Sequence, residues 1–293
     1  MPPLDPVTGA ELAGGGVYLT RQVTKAIGRV IGPAVDEIAE ALRAYTAFRL
    51  RNVQRIAERA EAKQLKTGRK GNVPPRLAHR ILEEGSYCDD ELMTEYLGGL
   101  LAGSRSPSGR DDRAATLCAL VTSMSTLQVR AHYILYREWA FLLHGRTDVN
   151  IGVTAGRGQA TLVAPTNVFA SLLDPEGTLG RDVATHAITG LQRVGLLGDE
   201  WEMGNPDKML KPPHPAPFRH LLHVQLSIVG VELYGWAQGL PGLSTDEFPT
   251  RAEPIEIEPA VPRLEGAYLP NLPALPQDAP DEAHQGTSPS PDT

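Results

Sequence analysis

The sequence predicts a mainly α protein, with an N-terminal helical domain, a small α+β domain and a disordered acidic tail. Three observations carry that expectation. Apolar residues recur at helical spacing through the first half of the chain. Beyond residue 146 short β-prone runs alternate with a single helical pattern. After residue 241 prolines crowd a carboxylate-rich segment that keeps neither period. The expected boundaries are a disordered N-terminus over 1–16, a helical domain over 17–145, the α+β domain over 146–240 and the tail over 241–293.

At 293 residues and 41% apolar, the chain is long enough for one or two cores, while 29 glycines and 25 prolines imply long irregular segments beside them. Cys88 and Cys118 cannot build a disulfide framework, and no Cys-x-x-Cys or Cys/His spacing is set to hold zinc. The opening "MPPLDPVTGAELAGGG" has no basic start and no apolar core, and no apolar run is long enough to span a bilayer. These features predict a soluble, cytoplasmic protein with reduced thiols, no metal and no cofactor.

The element order begins with a stripe of Val23, Ile27, Val30, Ile31, Val35, Ile38, Leu42, Tyr45, Val53 and Ile56, one long helix or two consecutive ones. Gly32 and Pro33 predict a kink inside it. In "VPPRLAHRILEEGSYCDDELMTEYLGGLLAGS", Pro74 and Pro75 suit a helix start and Gly85 a left-handed helix end. Asp89 and Asp90 then offer oxygens to the free amides of the next helix. The acidic cluster therefore reads as helix ends, and neither His79 nor Cys88 has an orienting partner spaced for catalysis. "SPSGRDDR" leads into a helix starting near Asp111 or Asp112, and "STLQVRAHYILYREWAFLL" gives another, with His132 and His144 isolated on it.

"VNIGVTAGRGQATLVAP" reads as a hairpin turning at Gly156, Arg157 and Gly158, too short for a phosphate loop. "GTLGRDVATHAITGLQRVGLL" is a helix with Leu179, Val183, Ala187, Leu191 and Val194 inward. "DEWEM", a proline-rich loop and "RHLLHVQLS" follow, then "IVGVELYGWAQG". Helix, strand, loop and strand in that order are winged-helix-like, with the loop as the wing. His220 and His223 fall on opposite faces of their strand and do not form a metal pair.

The net charge of -7 hides a strong asymmetry. Residues 43–80 carry eleven basic side chains against Glu58 and Glu61, whereas ten carboxylates after residue 241 face only Arg251 and Arg263. The basic run marks the candidate binding surface: Arg43, Arg49, Arg51, Arg55, Arg59, Lys63, Lys66, Arg69 and Lys70. Such a run is either a solvated helix face or a set of phosphate contacts. No residues are spaced as a catalytic constellation.

Four blocks together resemble the abortive infection alpha (Abi-alpha) family of bacterial phage-resistance proteins, over residues 23–239. They are "RLRNVQRIAERAEAK", the block around "RLAHRILEEGSYCDDELMTEYL", "LCALVTSMSTLQVRAHYILYRE", and "LQRVGLL" followed by "HVQLSIVGVEL". The chain departs from the family's Leu-Thr-x-x-Gly junction by having Ser227, which also caps a helix, and by its long proline-rich insertion. The resemblance implies defence against bacteriophage and brings no catalytic residues. The expected function is therefore binding of a protein or nucleic-acid partner, with self-association open. The alternatives are a winged-helix nucleic-acid binder using the basic helix for phosphates, and a membrane-disrupting effector using the kinked N-terminal helix.

Overall fold

The computed structural model describes residues 34–180, 182–206, 219–255 and 260–272. The disordered N-terminus expected over 1–16, the kink at Gly32 and Pro33 and most of the proline-rich wing lie outside the described residues. The chain divides into two compact units. The first runs to Ser123 and takes in Ala237–Gly239; the second comprises Met124–Trp236 and the chain from Leu240 onward. The helix of residues 126–142, expected in the N-terminal domain, thus belongs to the second unit.

The first unit is all helical, with α1 (Ala34–Thr67), α2 (Pro75–Gly85), α3 (Glu91–Gly103) and α4 (Ala114–Ser123). α1 is one continuous helix over Ala34–Thr67. Pro75 occupies the first turn of α2, and Asp90 Oδ1 accepts the Met93 amide at 2.8 Å to cap α3. Ile56, Ala60, Leu77, Ile81, Tyr96, Leu97, Leu100, Leu117 and Val121 form the core.

Gly85 corrects one expectation. Its φ is not positive and α2 ends on Ser86 in ordinary helical geometry. A Cβ at Gly85 would lie 2.3 Å from Ile56 Cδ1 and 2.8 Å from Leu97 Cδ1, and one at Gly98 2.7 Å from Arg59 Cβ. Both glycines therefore serve the close approach of α1 to its neighbours rather than a turn.

The second unit contains α5 (Thr126–Leu142), α6 (Thr154–Gln159), β1 (Leu162–Pro165), α7 (Thr166–Leu173), α8 (Val183–Arg193), β2 (Leu197–Gly204), β3 (Leu221–Leu226), α9 (Ile228–Ala237) and α10 (Phe248–Arg251). The three strands form one antiparallel sheet in the order β1-β3-β2. Val163 and Glu202 both lie opposite His223. The expected hairpin over 149–165 is not formed. "TAGRGQ" is the helical turn α6, and β1 pairs instead with β3, some sixty residues away in sequence. Gly156 lies so close to the Asn150 carbonyl, 1.8 Å from a Cβ built there, that its lack of a side chain is what allows this turn.

α5 is the buried axis of the second unit. Ser125 and Gln128 close a capping box at its start, and every residue from Ala131 to Ala140 is buried. Tyr136 stacks on His132 at 4.4 Å, meets Trp139 edge-on at 5.0 Å, and sits among Tyr234 and Phe248. Its hydroxyl donates to the Leu196 carbonyl at 2.7 Å and accepts the Ser227 amide at 2.9 Å, fixing the junction between β3 and α9. Ser227 caps α9 as expected, its Oγ accepting the Gly230 amide at 3.0 Å.

The tail expected to be disordered from residue 241 is folded in its described part. Phe248, Ile255, Val261 and Leu264 are buried. Tyr133 donates to the Ile255 carbonyl at 2.9 Å, and the Arg137 guanidinium donates to the carbonyls of Val261 and Pro262. Glu138, 1% exposed, takes Arg263 through both oxygens and the Leu264 amide as well. Tyr268 exchanges two backbone hydrogen bonds with Val163, adding a bridge to the outer edge of β1. Prolines exclude this strap from helices and ladders, but its carbonyls are satisfied by side chains of α5, which no local period reveals.

Candidate functional site: the basic run and the polar face of α8

The long basic helix is matched by acids one helix away. Arg55 and Arg59 both bind Glu91, and Arg59 and Lys63 both bind Glu95. Cations four apart on α1 meet carboxylates four apart on α3, so the two series stay in step on facing helices. Glu95 has a side chain only 3% exposed, and leaving it unpaired would cost several kcal/mol. Burial pushes the Glu91 carboxyl up, but its bonds from Arg59 and Arg55 prevail and hold it below the usual range. Burial lowers the Lys63 ammonium, against the pull of Glu95.

Arg49 donates to Glu83 at 2.8 Å and to Ser86 Oγ at 2.9 Å, with its guanidinium 4.3 Å from the Tyr87 ring centre. Arg69 donates to the Arg105 carbonyl at 2.9 Å. Arg43, Arg51, Lys66 and Lys70 are exposed. Of the nine residues expected to form one surface, four are thus committed to carboxylates inside the first unit, while Arg43, Arg51 and Lys70 are exposed and pair with no carboxylate among the described residues. The acids that neutralise the run were visible in the sequence, but only as helix ends. A groove of about 370 Å³ between Tyr45, Leu50, Val53, His79 and Leu82 borders Arg49.

In the second unit α8 buries Val183, Ala184, Ala187, Ile188 and Leu191 and turns Thr185, His186 and Arg193 outward. Asp182, Thr185, His186, Thr189 and Arg193 recur at three- and four-residue spacing, so they share one face. With Gln128 and Gly190 they line a shallow hollow of about 250 Å³. Gly190 leaves room there for the Gln128 side chain, whose amide nitrogen would lie 1.8 Å from a Cβ. The neighbouring β2 exposes Asp199, Glu200 and Glu202. Trp201 donates to Gln192 at 3.1 Å and anchors β2 to the end of α8. The polar spacing along α8 is legible in the sequence beside its apolar one, from Asp182, Thr185, His186, Thr189 and Arg193.

The residues weighed for chemistry are separated. His132 is fully buried, hydrogen-bonded to the Gly230 carbonyl at 3.1 Å, and desolvation holds its pKa down at about 3. His223 is half-buried on β3 and its pKa is lowered by desolvation against Glu202 and Glu200, while His220, His79 and His144 are exposed. Burial raises the Cys88 thiol and pushes Cys118 up to about 11, so both remain protonated and weakly nucleophilic at neutral pH. Among the described residues no three His, Cys, Asp or Glu side chains gather in a metal-binding group, and no helix is long and apolar enough to cross a membrane. Compared with known proteins, the chain matches no family model, no curated protein and no solved structure.

Proposed function

We propose that the chain is a bacterial abortive-infection protein that acts by binding a protein partner, and that its second unit is winged-helix-like. The topology supports the second part. Helices α5 and α6, strand β1, helices α7 and α8, and strands β2 and β3 follow in that order among the described residues, and β3 lies between β1 and β2. The observation that carries the binding role is the polar face of α8 with its hollow, which Gln128 of α5 borders at Gly190. The defence role rests on the four sequence blocks that resemble the Abi-alpha family.

Charge favours a protein over a nucleic acid at this face. Arg193 is opposed by Asp182 on α8 and by Asp199, Glu200 and Glu202 on β2, and a phosphate backbone needs an excess of cations. A basic protein surface is the complementary partner. The test is phage release per infected cell in a culture producing the chain. Release falls well below that of cells without it, and Thr185→Lys/His186→Lys, which sets positive charge against a basic partner on two exposed side chains, restores it. Undiminished release with soluble wild-type protein defeats the proposal.

A further inference from the structure

The positive charge left over from α1 gathers elsewhere in the first unit, on two loops that the sequence keeps apart. Residues 68–73 leave the end of α1, and residues 105–113 link α3 to α4. Asn72 and Ser106 exchange two backbone hydrogen bonds, at 3.0 and 3.1 Å, so the loops run antiparallel in contact. Arg69 donates to the Arg105 carbonyl at 2.9 Å and Arg105 to the Gly71 carbonyl at 3.1 Å, each guanidinium fastening the opposite loop. Gly71 has φ +112, and a Cβ there would lie 2.2 Å from the Ser106 carbonyl oxygen, so only glycine permits this approach. The Gly109 amide closes a turn on the Ser106 carbonyl at 3.0 Å. A Cβ at Gly109 would lie 3.4 Å from Asn72 Cβ, which places Arg110 beside Asn72 and two residues from Lys70.

Arg69 and Arg105 are held by neutral carbonyls, so their charge is not cancelled by the bonds that fix them. Lys70 and Arg110 are exposed and make no ion pair among the described residues, and the same holds for Arg76, the second residue of α2. Asp111 is occupied by Arg113, through bonds of 2.8 and 2.7 Å, and its carboxyl is held below the usual range by Arg113, with a smaller pull from Arg69. Asp112 remains as the exposed acid opposing this group. Ser108 Oγ, the Asn72 amide and the glycine backbone add neutral donors and acceptors at the same place.

We propose that this loop pair binds the sugar-phosphate backbone of a nucleic acid. Fixed cations beside small hydroxyl and amide side chains match phosphate and sugar oxygens and carry no means of reading a base. A lipid surface fits less well. Surface helices bind it through an apolar face several residues broad, and the loops themselves offer only Val73 and Pro107. The site is independent of the α8 face, so either assignment can fail alone.

The test is retention of a short DNA single strand and its duplex by the full chain at rising salt. Wild-type protein retains DNA at low salt and loses it steeply. Lys70→Glu/Arg110→Glu weakens retention at least about tenfold and makes the log–log salt slope shallower by about 1.4 on the single strand and about 1.8 on the duplex, as expected for two lost phosphate contacts. Lys70→Gln/Arg110→Gln gives a smaller loss in the same direction. Arg43→Glu/Arg51→Glu, an equal change of charge on α1, leaves retention within about threefold. Absence of DNA retention by the wild type overturns the proposal, as does equal loss in the α1 and loop variants. Displacement of DNA by inorganic phosphate at constant ionic strength, or preferential capture by phosphatidylserine vesicles, also overturns it, assigning the site to a free phosphate or a headgroup.

Discussion

His132 is the titratable side chain most deeply committed to the fold. Its ring is fully buried against Tyr136 and its pKa is held at about 3, from an ordinary value of 6.5. Between those two values the unfolded chain binds a proton that the folded chain refuses, so stability falls as pH drops through that window and is full above it. The limiting slope for one such group is about 1.4 kcal/mol per pH unit. Thermal unfolding should give a flat midpoint above pH 6.5 and a falling one below. His132→Gln, which keeps an N–H for the Gly230 carbonyl, should remove most of the fall between pH 6.5 and 5. An unchanged profile in that variant would place the sensitive group elsewhere, His223 first. At Gly85 the predicted effect is steric. Gly85→Ala drives a methyl group into Ile56 and Leu97 and should cost about 1–3 kcal/mol in urea unfolding. A left-handed helix end at Gly85 would also be strained by alanine, so Gly85→Ala/Ile56→Val separates the two: it recovers part of the loss only where the clash with Ile56 is the cause. The sequence shows that a glycine follows a helical pattern; it does not show what approaches it.

At the scale of elements, helix boundaries were the most legible part of the chain, because prolines, aspartates and apolar spacing mark them locally. Pro75, Asp90 and Ser227 each stand where their chemistry suggested. Pairings across the chain were not legible. β1 was visible as an apolar run, but nothing nearby indicated β3 as its partner, and the glycine-rich turn at Gly156, Arg157 and Gly158 between two β-prone runs invited a hairpin. The strap over residues 252–255 and 260–272 is the larger case. Its prolines announce irregular backbone, while the residues that hold it, Tyr133, Arg137 and Glu138, lie more than a hundred positions earlier. Ending the chain after Ala252 should leave Glu138 buried without its arginine and Tyr133 and Arg137 without their carbonyl acceptors. A loss of about 3 kcal/mol or more is expected from the uncompensated carboxylate. Ending it after residue 272 should leave the unfolding midpoint unchanged. Equal midpoints for the two truncations would show the strap to be dispensable.

Across the whole molecule, net charge and local composition located a basic run but not the use of its charge. Four of the nine cations expected to bind a partner instead bind carboxylates of the first unit. Charge reversal at Arg55 or Arg59 would therefore damage the α1–α3 pairing before it tested any partner. The exposed Arg43 and Arg51 are the cleaner probes. The polar face of α8 lies in the other unit and bears little positive charge, which separates its role from that of the basic run. Plaque counts on cells producing wild-type chain, Thr185→Lys/His186→Lys or Arg43→Glu/Arg51→Glu at equal soluble levels set these roles against each other most directly. The account predicts few plaques with the wild type and with the α1 variant, and counts near those of unprotected cells with the α8 variant. Protection kept by the α8 variant and lost by the α1 variant would contradict it.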